Sequence, residues 1–308
     1  MRGRSIASLG GTGLPTHVAV VVVHGIRTGD TDYSRAFRER VTRRIARLNR
    51  EFVEWREVFW GDITHGNQRA YFERARHQGH MRYINIRWEF VLQGLGDAAA
   101  YIRTRTMDGA AYHQIQDRVS SALDQLDIPD LPDRILVLVG HSLGCQIISS
   151  YIWDTNRLKQ ASSRPGDNDA AKTREMLAAA TPFRRLDTLA GIVTLGSNIP
   201  VFTFAFSPKR VIPVTRPRAS GESVAFPGPA LTQRHRETAR WLNFYNPFDI
   251  LGYPLKPLNP AYHDAVSIDK VVYSGFPFFF MPSRAHEGYW LNSTVIRHTA
   301  RLLNALIG

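Results

Sequence analysis

Gly140-His141-Ser142-Leu143-Gly144 places a serine between small residues, directly after the apolar run Arg134–Val139 (RILVLV) and before an apolar helical pattern. A hydroxyl that attacks a carbonyl must stand clear of its surroundings, reach a base, and share its space with N–H donors. A sharp strand-to-helix turn meets those needs, because Gly140 and Gly144 let strand and helix approach closely around Ser142 and hold its backbone strained. Ser142 is therefore the candidate nucleophile for acyl transfer. The oxyanion that forms on attack needs two N–H donors, one from the residue after the nucleophile and one from the loop after an early strand. Leu143 and Ile26 occupy those places, and Gly25 of the His24-Gly25 pair lets the backbone turn toward the site. Arg27, just beyond, is a candidate for steadying an anionic substrate group or for a surface ion pair.

Such a nucleophile needs a histidine to take its proton and a carboxylate to hold the imidazole's tautomer. Where the serine sits on a strand-to-helix turn, the chain order is nucleophile, acid, histidine, each at the carboxyl end of a strand. Asp249 follows the apolar segment Trp241–Tyr245 (WLNFY), and His286 lies in the last loop before a closing helix. Asp264 and Asp269 compete for the acid's role, and His263 and His298 for the base's. These sit on a connecting loop, a strand start or a helix face. His141 adjoins the nucleophile, but neighbours on so sharp a turn point apart, so it reads as packing. Cys145 reads as a small buried apolar residue. Ser197 ends a central strand and could line the site, although it lacks such a turn. His65, His77 and His80 are spaced like metal ligands, yet no carboxylate or cysteine set completes a site. No metal and no cofactor are called for.

The elements that must position these groups follow from hydrophobic periodicity. His17–Val23 (HVAVVVV) is a nearly continuous β-branched run, the mark of a strand covered on both faces. Thr31–Arg50 carries Phe37, Val41, Ile45 and Leu48 at helical spacing, an amphipathic helix with a basic outer face. Glu51–Trp60 alternates in part and reads as a strand. Phe90–Leu126 is helically patterned. Strand Arg134–Val139 is followed by helix Leu143–Leu158, and Ala161–Asp169 reads as a loop. Strands Leu189–Leu195, Trp241–Tyr245 and Asp269–Tyr273 come next. Ser293–Ile307 closes the chain as a helix capped by Asn292 or Ser293. Strands alternating with helices imply an α/β fold with a mostly parallel central sheet and helices on both faces.

The 308 residues suit one domain over 17–308 behind a flexible tail at 1–16. Residues 199–235, rich in Pro, Gly and aromatics, read as an inserted cap or substrate-facing loop. The net charge of +12 comes from 39 basic against 27 acidic residues, and only Lys159, Lys172, Lys209, Lys256 and Lys270 are lysines. Arginines spread along the whole chain, with no RNA-binding signature or Cys/His finger, argue against nucleic acid as a partner. A field of this sign suits an acidic substrate or peripheral contact with an anionic membrane surface, with a solvated, arginine-rich surface as the stronger competing reading. One cysteine excludes an intramolecular disulfide, and neither a signal peptide nor a spanning segment is evident, so a cytoplasmic protein is expected.

Several blocks resemble the intracellular phospholipases of the DDHD class and related bacterial lipase-like α/β hydrolases. These are VVVHGI, GDAAAYI, GHSLG, the LGS strand end, NFYNPFDILGYPLKPL around Asp249, and HEGYW from His286. The resemblance spans most of the chain in order, and its Asp-centred and His-Tyr-Trp blocks are more specific than the serine pentapeptide. It implies the α/β-hydrolase fold and hydrolysis of an acylated glycerol lipid by Ser142, Asp249 and His286. This chain is shorter than the eukaryotic pattern, so head-group preference and metal dependence are not carried over. The expected activity is carboxylic-ester hydrolysis on lipid or other acyl esters through an acyl-serine. Phe202, Phe204 and Phe206, with the run Phe276-Pro277-Phe278-Phe279-Phe280-Met281 just before His286, are candidates to form an acyl pocket or an interfacial lip, with core packing as the equal competing role. Tyr289 and Trp290 read as packing for the His286 loop. A catalytically silent lipid- or protein-binding module is the alternative.

Overall fold

Val18–Val23 is β-branched or alanine throughout, and every one of its residues is buried. Because successive side chains of a strand point to opposite faces, uninterrupted burial means that both faces are covered. The same holds for Ile135–His141 and Leu189–Leu195. In the computed structural model, which describes residues 15–25, 31–78, 88, 96–101, 110–128, 131, 133–162, 168–203, 226–278 and 280–308, these three runs form the middle of one sheet.

The sheet has six strands: β1 (Val18–Val23), β2 (Val53–Val58), β3 (Ile135–His141), β4 (Leu189–Leu195), β5 (Arg240–Tyr245) and β6 (Val266–Val271). Their order is β2-β1-β3-β4-β5-β6, and every pairing is parallel. The chain steps outward from β1 to β2 and then returns to β3 on β1's other side. The strand order thus reverses between β1 and β3, the kind of place where open parallel sheets bind ligands at the strands' carboxyl ends.

Helices surround the sheet. Leu143–Ser162 packs on β3 and β1, and Ala110–Leu126 packs on β1, β2 and Leu143–Ser162. The closing helix Ser293–Ile307 packs on β1, β4 and β5 and on the helix Arg35–Arg44. Val295, Ile296, Ala300, Leu303, Leu306 and Ile307 supply its buried stripe. Asn292 is its cap, with the side-chain oxygen accepting the N–H groups of Thr294 and Val295. No helix among the described residues is long and apolar enough to cross a membrane.

Several sequence expectations need correction. The helix expected over 31–50 divides into an α-helix, Arg35–Arg44, and a 3-10 turn, Arg47–Phe52, because Ile45 leaves helical geometry at ψ 139°. A helix occupies Gly61–Gln78 and carries His65 and His77, while His80 lies outside the described residues. The helix after Ser142 runs on to Ser162, and a further helix, Asn168–Ala179, includes part of the expected loop. The last strand starts at Val266 rather than Asp269, since the helix Pro260–Ala265 passes straight into it and Val266 already pairs with Trp241. Asp269 is thus mid-strand. Of the expected cap, Ile199–Thr203 and Gln233–Thr238 are short helices, and 204–225 lies outside the described residues.

Candidate active site

Ser142 sits between the end of β3 and the start of Leu143–Ser162 with φ +54°, a left-handed conformation that non-glycine residues seldom adopt. Its N–H donates to the Leu195 carbonyl at 2.9 Å, and its own carbonyl accepts the Cys145 N–H at 2.9 Å. The flanking glycines are required by space. A Cβ on Gly140 would lie 2.8 Å from the Cys145 backbone, and one on Gly144 only 2.2 Å from the Val23 carbonyl oxygen. At Gly25, at the end of β1, a Cβ would stand 2.5 Å from the Ser142 Cβ. Strand, helix and the β1 loop thus meet at the serine with no room for another carbon.

Leu143 is buried and opens its helix, so its N–H is among the first four that have no acceptor within the helix. This is the donor expected from the sequence for an oxyanion. Ile26 and Arg27 lie outside the described residues, but the anchoring of the preceding pair is defined. The Trp60 N–H donates to His24 Nε2 at 3.1 Å, and the Trp60 indole N–H donates to the His24 carbonyl at 3.1 Å. The two rings stack at 4.9 Å. With Nε2 accepting, the His24 proton belongs on Nδ1, where it donates to the Gly25 carbonyl. Sequence reasoning did not find Trp60; its only signal was a large apolar residue ending the segment beside β1.

The loops after β5 and β6 bring Asp249 and His286, the candidate acid and base, together. His286, on the short helix Pro282–Glu287, donates from Nδ1 to Asp249, with both carboxylate oxygens at 2.9 Å. The Leu251 N–H donates to Asp249 Oδ1 at 2.9 Å, and the Tyr289 hydroxyl donates to Oδ2 at 2.8 Å. Burial pushes the Asp249 carboxyl up, but the bond and charge of His286, the Leu251 N–H and the Tyr289 hydroxyl together hold it below its ordinary value. The aspartate is an ionised acceptor. Its partner nitrogen's opposite number, His286 Nε2, is buried and makes no hydrogen bond among the described residues, to Ser142 Oγ included. Catalytic hydrogen bonds are often open without substrate and close in the complex.

The elbow and the base nonetheless touch. The ring of His141 lies 4.9 Å from that of His286, and its Nε2–H donates to the His286 carbonyl at 2.7 Å. Burial, and next the neighbouring His286, lower the His141 pKa to about 3, so it is neutral and cannot serve as an accepting base through that nitrogen. Gly196, the residue after the carbonyl that binds Ser142 N–H, has φ +55°; a Cβ there would fall 2.8 Å from Asp249 Oδ2 and 3.3 Å from His286 Nδ1.

The other sequence candidates fall elsewhere. Asp269 accepts the N–H groups of Leu255 and Lys256 at 2.9 Å and the Asn243 amide, holding the loop after β5. Asp264 and His263 face each other, both exposed. His298 lies against the Phe244 ring. Ser197 Oγ accepts the Ile199 N–H, and Cys145 is buried with its thiol pushed up to about 12, burial being the main cause. Phe202 is half-buried against the core. Phe204, Phe206 and Phe279 lie outside the described residues. In the run before His286 that the sequence singled out, Phe276, Phe278, Phe280 and Met281 are exposed; Phe248, Ile250 and Tyr253 beside Asp249, and Tyr273, which the sequence did not single out, extend the same apolar rim and are exposed too.

Compared with models of known protein families, with curated proteins and with solved structures, the chain has no match.

Proposed function

We propose that this chain is a carboxylic-ester hydrolase of the α/β-hydrolase fold, acting on acyl or lipid esters through an acyl-Ser142 intermediate. The observation that carries the reading is an ionised Asp249 bound to His286 Nδ1, leaving a buried Nε2 with no partner among the described residues, on a loop held by the neighbour of a serine at positive φ. The strand order supports the fold assignment: the nucleophile follows β3, next to the reversal in the sheet, and acid and base follow β5 and β6.

In this mechanism Ser142 Oγ attacks the ester carbonyl while His286 Nε2 takes its proton. The resulting imidazolium is stabilised by Asp249, which stays ionised. The oxyanion is received by N–H groups of Leu143 and Ile26. The tetrahedral intermediate collapses by breaking the bond to the leaving alkoxide, which receives the proton from Nε2 and departs as an alcohol. Water then attacks the acyl-serine with the same base, releasing the carboxylic acid and restoring Ser142. No cofactor enters either step.

Acyl and lipid esters are supported by the exposed apolar rim on the two loops that hold Asp249 and His286. Lys256 and Arg284 on those loops favour peripheral contact with an anionic lipid surface. A series of acyl esters of increasing chain length tests this: turnover is expected to rise beyond short acyl groups and to gain when the substrate aggregates. A sharp optimum at about two to four carbons, with no gain on aggregation, would instead assign a short-chain esterase. A catalytically silent binding module is the second reading, favoured by the open hydrogen bond between Ser142 and His286. That reading requires that no ester is turned over.

A further inference from the structure

Tyr289 has a bonding pattern that packing alone does not explain. It is fully buried, yet its hydroxyl is doubly used: it donates to Asp249 Oδ2 at 2.8 Å and accepts the Asn246 N–H at 2.8 Å. One oxygen therefore ties the acid to the end of β5. Two glycines leave it room. A Cβ on Gly196 would lie 2.8 Å from Tyr289 Cε2, and one on Gly252 would lie 3.0 Å from the Tyr289 hydroxyl and 2.5 Å from Asp249 Oδ2. Gly196 directly follows β4, and Gly252 lies in the loop after β5 that carries Asp249. Their places are set by the tyrosine and the aspartate together.

We propose that Tyr289 is a positioning residue of the acid–base pair, whose hydroxyl fixes Asp249 on His286 and sets how much negative charge the imidazole meets; this rests on the hydrolase reading above. A hydroxyl that donates to a carboxylate draws charge from it, and a weaker carboxylate stabilises the imidazolium less. The effect reaches His286 undiluted because the other titratable groups at the pair are neutral. His141, on β3, has its pKa lowered to about 3 by burial and His286, and Cys145, on the helix after Ser142, has its thiol pushed up to about 12 by burial. Burial, followed by the charge of Asp249, pushes the Tyr289 hydroxyl well up, so it remains a donor at any working pH. Among the described groups at the pair, the charge facing His286 is that of Asp249.

The test uses the full chain, with active sites counted by a fluorophosphonate burst so that rates refer to folded protein. Tyr289→Phe keeps the ring and removes the donor. We expect kcat to fall about ten- to a hundredfold, the worth of one bond to a charged group, with KM within about twofold. The acid limb of kcat/KM should move to higher pH by about half a unit, because an unquenched Asp249 favours the imidazolium. Replacing Tyr289 by 3-fluorotyrosine, a stronger donor of nearly the same size, should move that limb to lower pH while keeping the packing. A purely structural tyrosine predicts no movement of the limb in either variant, and that result overturns the proposal even if Tyr289→Phe loses active sites. Wild-type protein that neither reacts with the fluorophosphonate nor turns over esters would instead end the hydrolase reading itself.

Discussion

The two halves of the candidate site are held by different physics. Around Ser142 the geometry comes from excluded volume: Gly25, Gly140 and Gly144 each stand where a single added carbon would lie 2.2–2.8 Å from its neighbours. Around His286 it comes from hydrogen bonds that side chains make with one another and with distant backbone. His286 and Tyr289 bind Asp249, His141 binds the His286 carbonyl, and the Asn246 amide binds the Ser274 hydroxyl at 3.1 Å. The serine is set by rigid packing on a fully buried sheet core. The base is set by a polar network under an exposed apolar rim. A site so divided has a fixed half, and a half whose function depends on individual donors and acceptors.

The comparison can be broken first on the polar side. Asp249→Asn should leave folding intact while kcat drops by about 10⁴, because an amide no longer holds the His286 tautomer or stabilises its charge. Steady-state kinetics at constant pH checks this, and near-wild-type turnover would place the acid elsewhere. On the packed side, Gly144→Ala should act through stability. The new carbon meets the Val23 carbonyl, a backbone atom that cannot step aside, so a loss of about 3 kcal/mol is expected in urea unfolding. Wild-type stability in that variant would show that the elbow is not packed as described.

A subtler effect concerns acid stability. His141 has a folded pKa of about 3, against about 6.5 for a free histidine, so between those values the unfolded chain holds a proton that the folded chain does not. Its contribution to stability is therefore full above about pH 6.5 and is lost as pH falls toward 3. The slope is at most about 1.4 kcal/mol per pH unit. Asp249, whose pKa is also lowered, adds loss of the same sign below about pH 4. His141→Gln keeps a donor for the His286 carbonyl and cannot titrate. Its unfolding free energy should fall less steeply between about pH 6.5 and 4 than that of the wild type. Parallel slopes would mean that His141 is not buried in neutral form.

The same division decides what can be read from the sequence. The packed half is local: GHSLG after an unbroken apolar run places Ser142, Gly140 and Gly144 within five residues, and β1, β3 and β4 lie close to their expected spans because core strands are apolar on both faces. Asp249 and His286 could be placed only by chain order, being 37 residues apart. Nothing local reveals that Tyr289 meets Asp249, since that contact depends on how the loops after β5 and β6 cross. The edge strand β6 was misplaced for a related reason. Val266-Ser267-Ile268-Asp269 mixes buried, exposed and half-buried positions and follows a helix without turn residues, so periodicity gave no start signal. His141 was expected to pack rather than act as a base, and it does; what local reasoning did not reveal is its partner, since its ring packs on His286 and its Nε2 holds the His286 carbonyl.

The central claim is that the serine at positive φ and the unpartnered nitrogen of His286 form one reacting unit. Fluorophosphonate treatment of the folded chain, followed by peptide mapping, tests it most directly. We expect a single adduct on Ser142, absent in Ser142→Ala and formed about 10⁴-fold more slowly in Asp249→Asn, since nucleophile and base act together. A folded wild-type chain that takes up no label within residues 140–144, or one labelled equally fast without Asp249, would contradict it.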